Sequence, residues 1–497
     1  MDKHKEEQLL YRISELIKEN KELTQQIKEL NNEKRKLEKE KGQLENTIAQ
    51  IPPDQLPKGA KYPSKTRSLR FEMATVLYAD LQGLQKITQQ TEDSSNLGAS
   101  SEIMDELDNI FLEFNKIVKK YKIERIKTIG DAYMAAGGVP EKNITNPVDV
   151  ALAAIEMQDY MNSLKKEYEA QNREFWDFRI GIHTGPVTAN FHGRKKLSYD
   201  LKGDTVHIAT RIASVGEFGD INLSIMTYEM IKQYFNCDYI GKIPVKYKGD
   251  MEILRLKRIK PAFSLHRKKG RTPNQIFMTK YLLRQFTDLQ EVILDRLEKE
   301  LPSFLYYHNV KHTIDVINQA ELIGYGEGVD DEAILLLKTA ALFHDAGHII
   351  GYDNHEYYGV QLAKEYLPEY KYNQQQIDNI ADLIMATKIP PDPQNTLEKI
   401  MCDADLDYLG RSDFIPVSNT LYKELKEQNK VGDINDWNKL QLKFISKHNY
   451  FTETALNLRE VNKQKQIERL KDLIKDYEDG VEFEKKPDSD SKENNSS

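Results

Sequence analysis

The stretch KTIGDAYMAAGG, residues Lys127–Gly138, decides the fold of the region around it. The run that leads into it, Ile123–Ile129, predicts a half-buried strand. Gly130 and Asp131 form a turn dipeptide, and Ala132–Ala136 predicts the return strand. The sequence therefore predicts a β-hairpin with the Asp131 carboxylate at its tip, where it can reach a metal ion.

A second acidic residue stands at the end of another predicted strand. The apolar run Ala74–Ala79 is followed by Asp80 and then by a turn that contains Gly83. Two carboxylates at strand ends suit a pair of divalent cations that also hold phosphate oxygens. A single aspartate at a turn is most often only a turn former, so this interpretation depends on the surrounding motifs.

Three further motifs lie in the same region, and they read GIHTGPV (Gly181–Val187), YDLKGDTVHIATR (Tyr199–Arg211) and VKYKG (Val245–Gly249). With the two aspartate motifs, they make residues 70–256 similar to a class III nucleotidyl cyclase catalytic domain. The resemblance implies an α+β, ferredoxin-like fold. It also implies conversion of a nucleoside triphosphate to a 3′,5′-cyclic nucleotide and pyrophosphate.

The resemblance assigns roles to matching positions. It implies a two-metal site for Mg²⁺ or Mn²⁺ formed by Asp80, Asp131 and the backbone carbonyl of Leu81. Arg211 would stabilise transition-state charge at the α-phosphate, and Arg179 and Lys246 would hold the outer phosphates. Any one of these cations taken alone is more often a solvated surface charge, and their joint placement in motifs supports the functional interpretation.

Base choice is implied by Lys127 and Asp200, because the family reads adenine with Lys and Asp and guanine with Glu and Cys. A Lys ammonium only donates, which suits adenine N1, and an Asp carboxylate accepts from the N6 amine. We therefore expect ATP as the substrate. His207 stands where the family has an Asn that positions the ribose, so activity could be lower or sensitive to pH. The usual Phe-Thr after Gly83 is absent.

Histidines and aspartates also cluster in the C-terminal half, in the motifs HNVKH (His308–His312), FHDAGH (Phe343–His348), NHE (Asn354–Glu356) and CDADLD (Cys402–Asp407). His308 and His312 are four residues apart, so we expect them on one helix face. Histidine and carboxylate ligands suit a divalent metal with open positions for water. This region resembles the HD-domain metal-dependent phosphohydrolases, which are all-α.

The HD resemblance implies a metal site formed by His312, His344, Asp345 and Asp405, with Asp403 as the alternative to the last. His308 would protonate the leaving 3′-oxygen of a phosphodiester, and His348 and His355 could hold a second metal. Mn²⁺, Fe²⁺, Zn²⁺ and Mg²⁺ are the candidate ions. Where many such domains have a further His, this chain has Ala386-Thr387-Lys388, which leaves a complete two-metal centre in question.

Residues 6–51 carry a heptad pattern, with Leu at every seventh position from Leu9 to Leu44 and Ile, Asn or Lys in the other seam. This pattern predicts a parallel two-stranded coiled coil and hence a homodimer, to which head-to-tail cyclase domains would also contribute. The alternative is one amphipathic helix packed on its own chain. We expect further segments as a linker at 52–69, a basic linker at 257–272, the helical HD domain at 273–462, and a charged helix with a disordered tail at 463–497.

Composition narrows the class of protein. The 497 residues carry a net charge of −8, which disfavours a general nucleic-acid binder. Two cysteines do not make a disulfide framework and fit a reducing compartment. No apolar run approaches the roughly 20 residues of a membrane span. We therefore expect a cytoplasmic protein without a membrane span.

These observations predict a bifunctional signalling enzyme. One domain would make cyclic AMP, and the other would hydrolyse a phosphoester, with cyclic AMP itself as one candidate. The alternative is an adenylate cyclase whose HD domain is a non-catalytic regulatory sensor. A third reading is a dimeric scaffold in which the cyclase region is a pseudo-enzyme.

Overall fold

The computed structural model describes residues 67–82, 97–173, 175–192, 198–245 and 249–479. The predicted coiled coil of residues 6–51, the predicted phosphate ligand Lys246 and the predicted disordered tail beyond residue 479 lie outside these ranges. The chain forms two compact units that divide between Lys257 and Arg258, except that segments 143–145 and 233–236 cluster with the second unit. Each unit is described by itself.

The first unit is an α+β structure built on one sheet. Its strands are β1 (Arg67–Gln82), β2 (Glu124–Ile129), β3 (Ala132–Gly137), β4 (Asp177–His192), β5 (Ser198–Lys202), β6 (Ile221–Ser224), β7 (Phe235–Val245) and β8 (Gly249–Ile259). Its helices are α1 (Leu97–Lys120), α2 (Asn146–Ala170), α3 (Asp204–Val215) and α4 (Ile225–Ile231). The α+β prediction is confirmed for this unit.

The strand order is β2-β3-β1-β4-β6-β8-β7, and β5 pairs with β4. The predicted hairpin is present, with Gly130 at a positive φ of 61° between β2 and β3. One strand prediction was wrong: β1 does not end before Asp80 but continues to Gln82, since Asp80 pairs with Ala132 on one side and Arg179 on the other. Pairing on both edges keeps this segment extended.

Helix α3 packs directly on strand β4 at Gly181. A Cβ atom at this position would lie 2.2 Å from the Ala209 carbonyl oxygen and 2.4 Å from the Ala213 amide nitrogen. Only glycine therefore allows this helix to approach the sheet so closely. The contact fixes α3 over the sheet, with Ile208 and Ile212 buried against it.

The second unit is helical, as predicted. Its helices are α5 (Gln275–Glu300), α6 (Val310–Gly326), α7 (Asp331–Phe343), α8 (His355–Tyr366), α9 (Gln374–Ala386), α10 (Thr396–Asp405), α11 (Phe414–Glu427), α12 (Ile434–Lys447) and α13 (Glu453–Glu478). Helix α7 is buried along most of its length, as its apolar sequence requires. The predicted boundary at residue 462 falls inside α13.

The prediction that His308 and His312 share a helix face was wrong. Asn309 is the N-cap of α6, and its side-chain oxygen accepts hydrogen bonds from the amides of Lys311 and His312. A capping residue lies outside the helix, so His308 precedes α6 and only His312 lies on it. Among the described residues, no helix is long and apolar enough to cross a bilayer.

Candidate active sites

Asp80 is held by a largely buried arginine in the first unit. Arg179 lies opposite it on β4, and its Nε and a terminal nitrogen lie 2.8 and 2.7 Å from Asp80 Oδ2. The side chains of Asp80 and Arg179 are only 17% and 13% exposed, respectively, so water screens this ion pair weakly. Arg179 also donates to the carbonyl oxygens of Ser214 and Gly216 at the end of α3. Arg179, which is predicted to hold phosphate, is thus paired with Asp80, which is predicted to bind metal.

Asp131 lies beside Asp80 at the tip of the β2–β3 hairpin. Its carbonyl oxygen accepts a hydrogen bond of 3.2 Å from the amide of Leu81, the residue after Asp80. Burial, and then the charges of Asp80 and Asp131, raise the pKa of Tyr78 on the same strand. The carboxylates of Asp80 and Asp131 therefore both lie close to Tyr78, as a shared site for hard divalent cations requires.

Lys127 and Asp200, the predicted base-reading pair, are in contact. Lys127 Nζ on β2 donates to Asp200 Oδ1 on β5 at 2.8 Å. Their side chains are 41% and 39% exposed, so an incoming ligand can reach both. A donor and an acceptor side by side match the adjacent N1 acceptor and N6 donor of adenine.

His207 and Arg211 lie one turn apart on α3, and both are exposed. The apolar side of that helix faces the sheet, so this pair occupies the opposite side. No hydrogen bond or ion pair involves either side chain among the described residues. Within the described part of the chain, both are exposed where a ligand or a second copy of the chain would approach.

The second unit holds a compact group of histidine and carboxylate atoms. His312 Nε2 lies 3.4 Å from Asp345 Oδ2, 3.2 Å from Asp405 Oδ1 and 3.4 Å from His344 Nε2. His344 Nε2 lies 3.2 Å from the same Asp345 oxygen and 3.4 Å from the same Asp405 oxygen. Ligand atoms about 2.1 Å from one divalent metal have roughly this mutual spacing. The residues present therefore fit one metal ion.

The electrostatics of this cluster favour a positive charge among the carboxylates. Burial opposes charge on Asp345, but His344 and the other facing histidines hold the pKa of that carboxyl well below its ordinary value. Burial likewise lowers the pKa of His344, and Asp345 and Asp405 more than reverse this and raise it well above its ordinary value. A divalent cation supplies the charge that these groups otherwise obtain from protons.

A second group of ligand atoms lies on the other side of Asp345. Asp345 Oδ1 is 3.4 Å from His355 Nε2, and the rings of His348 and His355 stack with centroids 4.1 Å apart. Both ring nitrogens of His348 are buried without a hydrogen-bond partner among the described residues, and burial lowers the pKa of His348 to about 3. A neutral, unpartnered imidazole is a suitable metal ligand. His308, Asp345 and His348 each offer one atom within 4.8 Å of the others.

Gly347 permits this arrangement. A Cβ atom there would lie 1.9 Å from the His355 carbonyl oxygen, so the HDAGH segment can lie directly against the start of α8. The close approach brings His348 onto His355. In the HDAGH motif, the glycine therefore serves packing, whereas the histidines and the aspartate supply the ligand atoms.

The choice between Asp403 and Asp405 follows from their partners. Asp403 is fully buried and accepts hydrogen bonds from the amides of Phe451 and Thr452 and from the Thr452 hydroxyl. Its oxygens are thus used to fix the start of α13. Asp405 alone of the two faces the histidine cluster.

Glu424 on α11 is a functional candidate that the motifs did not reveal. Its side chain is fully buried and accepts hydrogen bonds from His308 Nδ1 and from the amides of Tyr307 and His308. Burial opposes the charge, but these donors lower the pKa of the Glu424 carboxyl. Nδ1 of His308 therefore carries a hydrogen, and Nε2 is the nitrogen left for chemistry.

A cavity of about 640 Å³ opens beside the cluster. The polar end of its wall contains His308, Asp345 and His348. The rest is mostly apolar and aromatic, and includes Phe414 and Trp437. A volume of this size lies within the range of about 300–1,000 Å³ that is usual for small-molecule sites.

Family comparisons agree with both sets of geometry. Residues 66–258 match the family model described as "Adenylate and Guanylate cyclase catalytic domain", and residues 309–407 match the model described as "HD domain". The chain carries a class III cyclase catalytic domain and an HD domain. The HD match ends before Glu424 and begins after His308.

The chain matches less than half of the length of these curated relatives, and the match lies in its cyclase domain. An adenylate cyclase of Mycobacterium tuberculosis is 32% identical over 182 residues, which are 37% of this chain and 39% of the relative. The receptor-type guanylate cyclase gcy-8 of Caenorhabditis elegans is 32% identical over 200 residues, 39% of this chain and 16% of the relative. Among solved structures, the adenylyl cyclase CyaB from P. aeruginosa is 27% identical, has a TM-score of 0.34 and covers 39% of this chain and 97% of that structure.

The structure brings together most of the predicted site residues. In the cyclase domain it pairs Asp80 with Arg179 and Lys127 with Asp200. In the HD domain it gathers the predicted residues, apart from the alternative ligand Asp403, around one cavity or one group of ligand atoms, namely His308, His312, His344, Asp345, His348, His355 and Asp405. In the cyclase motif GIHTGPV, the histidine has a structural contact: the buried His183 ring bonds Ser224.

Proposed function

We propose that the cyclase domain converts ATP to 3′,5′-cyclic AMP and pyrophosphate. The observation that carries the choice of ATP is the contact between Lys127 and Asp200. Adenine would accept from the Lys ammonium at N1 and donate to the Asp carboxylate from N6. Guanine would present a donor to the ammonium and an acceptor to the carboxylate, and each mismatch costs a hydrogen bond.

The remaining cyclase residues fit the charge changes of this reaction. Asp80 and Asp131, with the Leu81 carbonyl, would hold Mg²⁺ or Mn²⁺, which when bound favours ionisation of the 3′-hydroxyl and neutralises phosphate charge. Arg211 would stabilise charge at the α-phosphate, and Arg179 and Lys246 would hold the outer phosphates. His207 would donate to the ribose in place of the usual Asn.

We also propose that the enzyme is a homodimer. One copy would contribute Asp80 and Asp131 to a site, and the other would contribute Lys127, Asp200 and Arg211. The exposed positions of His207 and Arg211 on the outer side of α3 are consistent with this division. A C₂ arrangement would then give two equivalent sites.

Product analysis tests this proposal. The full-length protein is incubated with ATP or with GTP in Mn²⁺, beside Asp131→Ala and the double variant Lys127→Glu with Asp200→Cys. We expect cyclic AMP from ATP in the wild type, none in Asp131→Ala, and a shift of preference toward GTP in the double variant. Cyclic GMP as the main product of the wild type would contradict the assignment of the base, and no cyclic product at all would contradict the cyclase activity.

For the HD domain we propose hydrolysis of a phosphodiester, for which cyclic AMP made by the same chain is the first substrate to test. His312, His344, Asp345 and Asp405 would hold one divalent ion, and His348 and His355 with the other Asp345 oxygen would hold a second. Bound metal activates water and polarises the phosphate. His308, oriented by Glu424, would donate a proton from Nε2 to the leaving oxygen.

The alternative for the HD domain is a ligand-binding sensor without turnover. Metal content and phosphodiesterase activity of His344→Ala, compared with the wild type, separate the two. Bound metal and turnover that are both lost in the variant support the hydrolase. Cyclic AMP binding without turnover of any phosphodiester in metal-loaded wild type would favour the sensor.

A further inference from the structure

A second cavity of about 440 Å³, here called the outer chamber, adjoins the HD cavity. The two chambers share four apolar wall residues, Ile389, Leu406, Leu440 and Phe444. None of the residues of the histidine–carboxylate cluster lines the outer chamber, which adjoins the apolar part of the HD cavity. A ligand held at both the cluster and the outer chamber would have to carry a further group that passes these four side chains.

Among the described residues, the ionisable groups that line the outer chamber are Lys443, Lys447 and His448, and no carboxylate lines it. The lysines are one turn apart on α12, and they lie on the same face of that helix as Leu440 and Phe444. Neither lysine has an ion-pair partner among the described residues. Both ring nitrogens of His448 are also without a hydrogen-bond partner there.

Paired lysines without acidic partners are suited to a phosphate group, which accepts from both ammonium groups. The apolar and aromatic wall between the two polar ends suits a sugar and a base. Phe444, which lines both cavities and is only partly buried, offers an aromatic surface to such a group. The linings of the two cavities together thus suit a phosphate, a nucleoside and a second phosphate.

We propose that the substrate of the HD domain is a phosphodiester with a second phosphate one nucleoside away from the scissile one, that is, a dinucleotide. This inference rests on the proposed phosphodiesterase function. For the linear dinucleotide pApA, a water oxygen forms a bond to the internal phosphorus and the bond from that phosphorus to the 3′-oxygen breaks. The leaving oxygen takes a proton, so the products are two molecules of AMP. Lys443 and Lys447 hold the terminal 5′-phosphate.

Steady-state kinetics of the full-length, Mn²⁺-loaded protein test this class. The substrates are pApA, cyclic AMP and bis(p-nitrophenyl) phosphate, of which only pApA carries a second phosphate. The variant is Lys443→Gln with Lys447→Gln. Its matched control is Lys439→Gln, which removes a lysine of the same helix that pairs with Glu478 outside the chamber.

We expect pApA to have the highest kcat/KM in the wild type, and the double variant to raise the KM for pApA by about tenfold. The KM for the other two substrates, and every parameter of Lys439→Gln, should stay within about twofold of the wild type. Because the lysines are exposed, the effect should shrink between about 0.05 and 0.5 M salt.

Three outcomes would overturn the inference. If bis(p-nitrophenyl) phosphate is hydrolysed but pApA is no better a substrate than cyclic AMP, the substrate class fails and the phosphodiesterase function stands. If pApA is preferred but the double variant leaves its KM unchanged, the role of the lysines fails. If nothing is hydrolysed by metal-loaded protein, the proposed phosphodiesterase function fails first.

Discussion

Replacing Glu424 by Gln tests whether the HD domain uses His308 as a general acid. The carboxylate accepts from His308 Nδ1 and from the amides of Tyr307 and His308. A Gln side chain has the same shape but only one acceptor oxygen. If that oxygen keeps the two amides, its NH₂ group faces Nδ1, and the histidine must then place its hydrogen on Nε2 or turn away.

The expected size of the effect follows from these bonds. A hydrogen bond to a charged group contributes about 1.5–3 kcal/mol, and a buried donor left unpaired costs about 1–3 kcal/mol. We therefore expect the variant to lose about 2 kcal/mol of stability. General acid catalysis contributes about 10²–10⁴-fold, so we expect kcat for an alkoxide leaving group to fall about 100-fold or more.

The assay compares two leaving groups. Cyclic AMP or pApA must release a ribose oxygen that needs a proton, whereas bis(p-nitrophenyl) phosphate releases a stable phenolate. Glu424→Gln and His308→Ala should both slow the first class strongly and the second by less than about tenfold. The control is Glu427→Gln, an exposed position on the same helix that bonds Tyr306. Equal losses with both classes of substrate would refute the general-acid assignment.

Three further predictions concern ligand choice, pH and packing. Asp405→Asn should remove metal from the HD cluster, whereas Asp403→Asn should keep the metal and cost about 2 kcal/mol of stability, as metal analysis and thermal unfolding would show. Because the pKa of His344 is raised in the fold, the contribution of this histidine to stability is present below about pH 6.5 and is lost as pH rises through the raised folded value. The Tm measured from pH 6 to 9 should therefore fall more steeply in EDTA-treated than in metal-loaded protein. Parallel curves of Tm against pH would contradict this prediction. Gly181→Ala should destabilise the cyclase domain by about 3 kcal/mol, since its Cβ would meet Ala209, and should abolish cyclic nucleotide formation while HD hydrolysis persists.

Local sequence signals predicted the elements that depend on local chemistry. The turn at Gly130-Asp131 needs a positive φ, which glycine supplies, so the hairpin could be located from the sequence. The helical character of α7 follows equally from its apolar run. The extent of β1 could not be predicted in this way, because pairing with β3 and β4 keeps Asp80 in the strand.

The site was predictable where its residues stand in motifs and not where distant segments meet. Glu424 lies 116 residues from His308, in a charged helix whose sequence resembles a solvated surface. The four-residue spacing in HNVKH predicts that its histidines share a helix face, but Asn309 caps α6 and leaves His308 outside the helix. The CDADLD motif contains three acids, and only their contacts distinguish them: Asp403 bonds Thr452, Asp405 faces the histidine cluster, and Asp407 pairs with Arg459.

The ion pair between Arg179 and Asp80 means that the cyclase domain at rest already has a counterion for one of the two aspartates that we propose as metal ligands. A free divalent cation would have to displace a guanidinium group that also bonds two carbonyl oxygens. A cation that arrives with a triphosphate instead offers Arg179 new anions in exchange. The affinities for cation and nucleotide are then thermodynamically linked, and the linkage is reciprocal. We expect weak binding of Mn²⁺ alone, weak binding of ATP alone, and cooperative binding of the two together.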